Sequence, residues 1–291
     1  NGGSDYQISE IINTSFGNRI NFRWDAKADL ASGEYNPVRI KVVVFDGLNS
    51  GSDEGTTSVD LYCKTPDRLT LKEREDTSIT LQWTQDSPEK VTRYEIRYST
   101  KENLADYKTV IISDSNQMEA KVTGLTPNTT HYFNIASFDE FGNIGLKEEN
   151  KLKAPTTVAK PGPPIVKGLY DEDICKTGYY TRIEFDAATI NNNPQDTLYA
   201  IRYVDPNLPN MWLQGNGTVA QDLIVKYTAT EWQSGTTNYH IELAAEKTYS
   251  YVIRAYGHDG DWEESTIGSG ETPPQVPSGI SVVEWPADAP N

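Results

Sequence analysis

The sequence has few of the residues that build metal sites, disulfide frameworks and catalytic centres. Among 291 residues there are two cysteines and three histidines. Cys63 and Cys175 lie far apart and belong to no Cys-x-x-Cys pair, which excludes a structural zinc site. A disulfide needs Cα atoms within about 7 Å, so we expect two free thiols. The chain also has no Gly-x-Ser-x-Gly, His-Glu-x-x-His or phosphate-binding glycine motif, and we expect no enzymatic activity.

Clustered positive charge and long apolar runs are lacking as well. The 42 acidic residues outnumber the 26 basic ones, the formal net charge is -16, and no run of Lys or Arg occurs. Nucleic acid is therefore excluded as a partner, because phosphate binding needs clustered cations. The longest apolar runs, such as residues 42–45, fall far short of the roughly 18 residues of a membrane-spanning helix. With Asn1 first and no signal peptide visible, we expect a segment of a longer polypeptide.

What the sequence does contain is an internal repeat. The pattern Tyr-x-Ile-Arg-Tyr occurs at residues 94–98 and again at residues 199–203. A spacing of roughly 100 residues is the size of one globular domain, so it predicts tandem domains. Each copy follows an alternating apolar segment that ends on an aromatic residue, at residues 79–83 and 183–185. Residues 20–24 show the same alternation, which is typical of a half-buried strand.

A second alternating segment recurs near the end of each unit. Residues 38–44, 131–135 and 249–255 each lead into an acidic turn that contains glycine. Helical periodicity is weak throughout, with one short candidate at residues 101–107. Period-two alternation with Gly-bearing turns predicts units made of antiparallel strands.

Proline-rich segments mark the predicted domain boundaries. The first unit is 1–65, the second 66–159 and the third 160–272, with longer middle strands and loops in the third. Residues 273–291 are predicted to be a Pro-rich linker and the start of a further domain. Because these seams are short and stiff, we expect an extended array.

The second unit resembles a fibronectin type III domain. The resemblance rests on Trp83, on residues 94–98 and on residues 124–135. In that family a tyrosine six residues after a leucine ties its strand back to the preceding turn through its hydroxyl group. Here that position is His131, so either the imidazole replaces the hydroxyl bond or Tyr132 takes over part of the role.

The other two units also resemble β-sandwich families. The third is similar to the same family, with Tyr249 six residues after Leu243. The first unit is similar to a bacterial immunoglobulin-like domain, because it contains Trp24-Asp25, Gly33 and a later Asp-Gly turn. It is short enough to be incomplete. The resemblance implies an all-β chain of tandem antiparallel β-sandwiches, one immunoglobulin-like and two fibronectin type III-like, in an extended array.

Aromatic residues supply the candidate binding surface. Its members lie in or beside loops of the third unit: Trp262, Trp212, Trp232 and Tyr256. An exposed tryptophan can stack on a sugar ring or anchor a protein interface. Tryptophan also serves to pin long connecting segments to a core, so both interpretations stay open. Trp24 and Trp83 are expected in the cores.

Acidic turns suggest calcium as the one cofactor to consider. The candidate ligands lie near loop ends or domain seams, where a bound ion would rigidify a junction: Asp259, Asp261, Asp171 and Asp173. No EF-hand motif is present, and well-solvated turns are the alternative interpretation. No other cofactor is expected.

Together these features favour a non-catalytic structural or adhesive segment of a long surface-exposed protein. It would act as a spacer and protein–protein interaction module in a cell-surface fibre or lattice, or in a phage or virion tail or fibre. The expected partners are further copies of the chain or other surface or virion proteins, with glycans as another option. The alternative is an accessory carbohydrate- or polymer-binding module of a secreted enzyme. Both interpretations place the segment outside the cell, on a cell or virion surface.

The sequence also contains three Asn-x-Ser/Thr sequons, at Asn13, Asn128 and Asn216. They are acceptors for N-linked glycans only in a source organism that glycosylates its proteins.

Overall fold

The structure is a computed structural model that describes residues 24–45 and 47–277. These residues form twenty β-strands and a few helical turns, so the chain is all-β, as the alternation predicted. The strand predicted around Ile20 and most of the predicted further domain, residues 278–291, lie outside the described residues.

The described part of the first unit is a single long hairpin. It contains the one-turn helix α1 (Ala26–Asp29) and two antiparallel strands, β1 (Glu34–Phe45) and β2 (Ser50–Asp60). Val42 and Val43 point to opposite faces, and both are exposed. The immunoglobulin-like sandwich thus stays a prediction, since residues 24–65 show one sheet and no second layer. Trp24 is half-buried rather than a core residue, and its Nε1 donates to Asp29 Oδ2 at 2.6 Å.

The second unit is a sandwich of two antiparallel sheets. One sheet has the order β3-β4-β7 and the other the order β10-β8-β5-β6, with β9 paired to β8. The alternating segments predicted as strands form β4, β5 and β8. The bounds are β3 (Thr70–Arg74), β4 (Ser78–Gln82), β5 (Arg93–Ser99), β6 (Lys108–Ile112), β7 (Glu119–Thr123), β8 (Thr130–Phe138), β9 (Ile144–Leu146) and β10 (Leu152–Pro155), with 3-10 turns at Pro88–Lys90 and Glu148–Asn150.

The core of this sandwich confirms the strand register read from the sequence. Trp83 is buried and packs edge-on against Tyr94, with ring centroids 5.3 Å apart. Alternate residues of β4 and β5, such as Ile79 and Ile96, are fully buried beside them. The helix candidate at residues 101–107 was wrong, because this segment is a turn with left-handed backbone at Leu104 (φ 55°) and Asp106 (φ 57°).

The third unit is a second sandwich with the same layout. One sheet has the order β11-β12-β17, and the other has β15-β14-β13-β18-β19 with β16 and β20 attached. Tyr199, Ile201, Tyr251 and Ile253 point inward from β13 and β18. The bounds are β11 (Ile165–Tyr170), β12 (Tyr179–Glu184), α2 (Ala187–Ile190), β13 (Leu198–Tyr203), β14 (Met211–Leu213), β15 (Val219–Gln221), β16 (Tyr227–Thr228), α3 (Ala229–Trp232), β17 (Tyr239–His240), β18 (Thr248–Tyr256), β19 (Trp262–Glu264) and β20 (Gly268–Glu271).

Both sandwiches tie the first residues of a long strand back to the preceding turn. In the third unit the Tyr249 hydroxyl accepts a hydrogen bond from Ala244 N at 3.0 Å, as the six-residue spacing from Leu243 implied. In the second unit the buried His131 takes this place, and the backbone of Thr126 in the preceding turn raises its pKa. Burial is the larger influence and lowers the pKa of His131. The imidazole lies where the family has the tyrosine ring, and its buried Nε2 has no hydrogen-bond partner among the described residues.

Both cysteines are free and buried. Cys63 Sγ lies 3.3 Å from Ser137 Oγ in the second sandwich, and Cys175 Sγ lies 3.4 Å from Tyr179 O in the third. Across the described ranges, no helix is long and apolar enough to cross a membrane.

Candidate functional site: the joint and the aromatic row

The two sandwiches meet at a joint whose connecting residues belong to one sandwich or the other. Thr156 and Thr157 are held by the second sandwich. The Thr156 hydroxyl donates to Thr126 O at 2.7 Å, and Thr157 N donates to Glu75 O at 3.1 Å. The last strand of the second sandwich is therefore followed directly by residues that stay attached to it.

The next two residues are held by the third sandwich. Val158 is buried in its hydrophobic core. Ala159 is bonded on both sides by Asn193, whose Oδ1 accepts from Ala159 N at 2.8 Å and whose Nδ2 donates to Ala159 O at 2.9 Å. The chain passes from one sandwich to the next without a residue that is free to rotate.

Asn128 bridges the sandwiches from the side of the second unit. Its backbone is left-handed (φ 47°), a conformation that asparagine adopts more readily than most residues. The residue is 2% exposed. Its Nδ2 donates to Thr197 Oγ1 at 3.0 Å, and its Oδ1 accepts from His258 N at 2.8 Å. Both polar atoms of one side chain are thus satisfied by two loops of the neighbouring sandwich.

Two of the four predicted metal ligands also lie at this joint. Asp259 forms an ion pair with Arg74, and the two side chains are 28% and 31% exposed. Asp261 Oδ2 accepts a hydrogen bond from Val158 N at 3.2 Å. The guanidinium group of Arg74 therefore supplies, at Asp259, the positive charge that the sequence suggested calcium would supply.

The other two predicted ligands lie elsewhere. Asp171 and Asp173 belong to the turn between β11 and β12, at the end of β11 remote from the connection at residues 156–159. The Asp171 Oδ1 accepts from Asp173 N at 3.0 Å, so one carboxylate already caps its own turn. The four carboxylates are not gathered at one place, and within residues 24–45 and 47–277 no three His, Cys, Asp or Glu side chains are grouped to hold a metal ion.

Trp262 is the exposed member of the predicted aromatic surface, with 51% of its area accessible. Its ring lies over the guanidinium of Arg254, 4.0 Å from centroid to carbon, and Trp212 covers the same guanidinium at 4.7 Å. Arg254 and Arg202 both bind Glu264, at 2.8 and 2.9 Å. Burial on its own raises the pKa of Glu264, but the hydrogen bonds from the two arginines lower it overall. This ion cluster holds the indole of Trp262 in place.

Tyr256 lies beside Trp262 on the same outer face of the sheet. Tyr256 and Trp262 face each other across β18 and β19, and we call these two residues the aromatic row. Leu198 faces Tyr256 from β13 on the other side. Lys226 Nζ lies 3.7 Å from the centroid of the Tyr256 ring. The row is the part of the predicted binding surface that the structure brings together.

Trp212 and Trp232 are not exposed, which corrects the prediction that they contribute to a binding surface. Trp212 is 3% exposed beneath Arg254. Trp232 is fully buried, and its Nε1 donates to Tyr199 O at 2.7 Å. A capping box between Thr228 and Glu231 starts α3 and directs Trp232 into the core. These tryptophans pin the long middle segment of the third sandwich, which was the alternative interpretation.

The sequence did not point to Arg74, Thr197 or His258 as joint residues. Asn128 carried one local signal, since an asparagine after Pro127 is typical of a left-handed turn. No local pattern links residue 74 to residue 259, because the two meet only when both sandwiches are folded.

One stretch of the sequence, within the second sandwich, matches a known family. Residues 64–149 match the family described as "Fibronectin type III domain". Two similar solved structures are a two-domain fibronectin type III segment from chicken tenascin and the FN1-FN3 domains of chicken CNTN1. The first is 17% identical, with a TM-score of 0.42, over 71% of this chain and 98% of that chain. The second is 16% identical, with a TM-score of 0.34, over 75% of this chain and 70% of that chain.

No curated protein matches the sequence. The stretch that matches the fibronectin type III domain family is residues 64–149, which contain strands β3 to β9 of the second sandwich.

Proposed function

We propose that this chain is a stiff, non-catalytic spacer and protein–protein interaction segment of a long surface-exposed protein. That protein would be a cell-surface fibre or lattice component, or a phage or virion tail or fibre component. The observation that carries the proposal is the joint, in which every connecting residue is bound to one sandwich or the other.

A stiff joint matters because adjacent domains normally move relative to each other unless the contact between them is extensive. A flexible linker of several residues would shorten the average span and spread it over many lengths. Here Asn128 and the Arg74–Asp259 pair bridge the sandwiches beside a connection that is itself immobilised. Such a segment holds whatever follows it at a constant distance and orientation.

The distance between the sandwiches tests the proposal. Spin labels at Glu102→Cys and Asn207→Cys, both at exposed positions, would be placed in a background with Cys63 and Cys175 replaced by alanine. Double electron–electron resonance should give one narrow distance distribution. A broad distribution in this parent protein would contradict the stiff spacer.

Variants of the joint provide the comparison. Arg74→Ala combined with Asn128→Ala removes the side-chain bridges and should broaden the distribution. Lys167→Ala is the matched control, because it breaks a pair with Glu184 (2.7 Å) inside the third sandwich, away from the joint. An antibody against the chain should also label intact cells or purified virions of the source; staining only after lysis would contradict the surface location.

A second candidate function is an accessory carbohydrate- or polymer-binding module of a secreted enzyme. The observation that favours it is Trp262, whose outer ring face is open while Arg254 immobilises the inner one. Pull-down with insoluble polysaccharides would compare Trp262→Ala with Phe141→Ala, which removes an aromatic ring that is 62% exposed on the second sandwich. Binding lost only in Trp262→Ala would favour the module, and an absence of binding in the parent would exclude these polysaccharides as ligands.

A further inference from the structure

Two Asn-x-Thr sequons lie within the described residues, and the structure places them in opposite surroundings. One is Asn128-Thr129-Thr130 at the joint, and the other is Asn216-Gly217-Thr218 in the third sandwich. Asn13 lies outside the described residues. The sequence motif alone does not distinguish the two asparagines as acceptors of an N-linked glycan.

Asn216 lies at the tip of the hairpin between β14 and β15. The turn is closed by Gln214 N donating to Thr218 O at 2.8 Å and by Gly217 N donating to Gln214 O at 3.0 Å. Gly217 has a left-handed backbone (φ 87°), which glycine adopts without strain. The side chain of Asn216 is exposed at this tip.

The carboxamide of Asn216 is oriented by its own sequon. Its Oδ1 accepts hydrogen bonds from Thr218 N at 3.1 Å and from Thr218 Oγ1 at 2.8 Å. No hydrogen bond leaves its Nδ2 in the described part of the chain. The nitrogen that would carry a glycan is therefore accessible while the oxygen is held.

Asn128 has the reverse arrangement. Its Nδ2 is used by Thr197 and its Oδ1 by the backbone of His258, and the side chain is enclosed between the two sandwiches. A glycan on this nitrogen would displace the bond to Thr197 and separate the sandwiches. The folded joint and modification of Asn128 exclude each other.

We propose that Asn216 is an N-glycan acceptor site and that the joint closes the sequon at Asn128 in the folded chain. The donor would be an oligosaccharide linked to a lipid diphosphate. The Asn216 Nδ2 forms a bond to the anomeric carbon while the bond from that carbon to the diphosphate oxygen breaks. The diphosphate leaves with the electron pair, and the amide nitrogen loses one proton to a base of the transferase.

This inference rests on the surface location in the proposed function, since N-linked glycans are a feature of secreted proteins. The two can fail separately. A modified Asn216 with a broad distance distribution between the sandwiches would contradict the stiff spacer and the closure of Asn128, but not the glycan site at Asn216. A narrow distance distribution together with an unmodified Asn216 would rule out the glycan site and leave the stiff spacer supported.

The test uses the full chain, purified folded and unglycosylated, with Asn13→Gln to leave two sequons. It is incubated with an oligosaccharyltransferase and a lipid-diphosphate-linked oligosaccharide, and the products are mapped by glycopeptide mass spectrometry. We expect one glycan, at Asn216, and none at Asn128. The variants Asn216→Gln and Thr218→Ala should both abolish it.

The tryptic peptide that contains Asn128 is the control, because it has the same sequon without the joint. It should be modified, which would show that the folded joint rather than the local sequence protects Asn128. An unmodified Asn216 in the folded chain would overturn the proposal. Equal modification of Asn128 in the folded chain would overturn its second half.

Discussion

Acidification should destabilise the third sandwich through one buried histidine. His240 is 7% exposed, and its Nδ1 lies 2.8 Å from the Tyr251 hydroxyl, which in turn lies 2.6 Å from Thr181 Oγ1. The rings of Tyr203 and Tyr249 pack around the imidazole. No carboxylate bonds to the imidazole among the described residues. Burial lowers the pKa of His240 from 6.5 to about 4.

The sign and size of the effect follow from this pKa. Between about pH 6.5 and pH 4 the unfolded chain binds a proton at residue 240 that the folded chain does not, so the free energy of unfolding falls as the pH falls. At about 1.36 kcal/mol per pKa unit, the full loss is about 3 kcal/mol. Above about pH 7 the histidine is neutral in both states, and this dependence disappears.

The measurement is urea unfolding of the full chain at several pH values from about 7 down to about 4.5, where most of the loss should have occurred. Hydrogen-exchange mass spectrometry would follow peptides from β18, which report the third sandwich, and exchange rates would be corrected for pH. His240→Gln keeps a polar partner for Tyr251 and is the control.

The parent protein should lose about 2–3 kcal/mol over this interval and His240→Gln much less. If the parent and the variant lose the same free energy, or the parent loses less than about 1 kcal/mol, His240 is not the group responsible. His240→Phe provides a second variant in case the glutamine side chain fails to pack.

Three further predictions concern stability. Trp83→Ala should cost about 3–5 kcal/mol, the range for large aromatic residues in cores, and near-neutral urea unfolding of the second sandwich would mean that this ring does not anchor the core. His131→Tyr should leave that sandwich as stable or more so, because a tyrosine hydroxyl can bond the same turn; a loss above about 1 kcal/mol would show that the imidazole has a partner the hydroxyl cannot reach. Gly168→Ala should destabilise the third sandwich, since a Cβ at residue 168 would overlap the backbone of Glu271 where β11 approaches β20. An unchanged melting temperature would show that these strands can separate without cost.

The strands and cores were predictable because their signals are local. Alternation in β4, β5 and β8 places every second residue on the inner face, so Trp83 and Tyr94 had to be buried together. The spacing from Leu243 to Tyr249 likewise identified a tie between a strand and the turn just before it. The capping box at Thr228 was also readable, and it would have indicated a helix that includes Trp232.

The candidate site could be predicted only in part, because exposure depends on what folds over a residue. Trp262 and Trp212 were both predicted to lie in or beside loops, yet the first is open and the second lies beneath Arg254. The sequence identified Asp259 as a charged loop residue, but not its partner.

The local pattern of apolar and polar residues by itself determined that this chain is a series of antiparallel β units with Pro-rich seams between them. Only the tertiary structure decided how two of those units are joined. Arg74 reaches Asp259, and Asn128 reaches His258, across separations in sequence that no periodic pattern encodes. Each sandwich contributes one side of these contacts, so neither side contains the information that specifies them. The joint is therefore a property of the pair of sandwiches and of neither one alone.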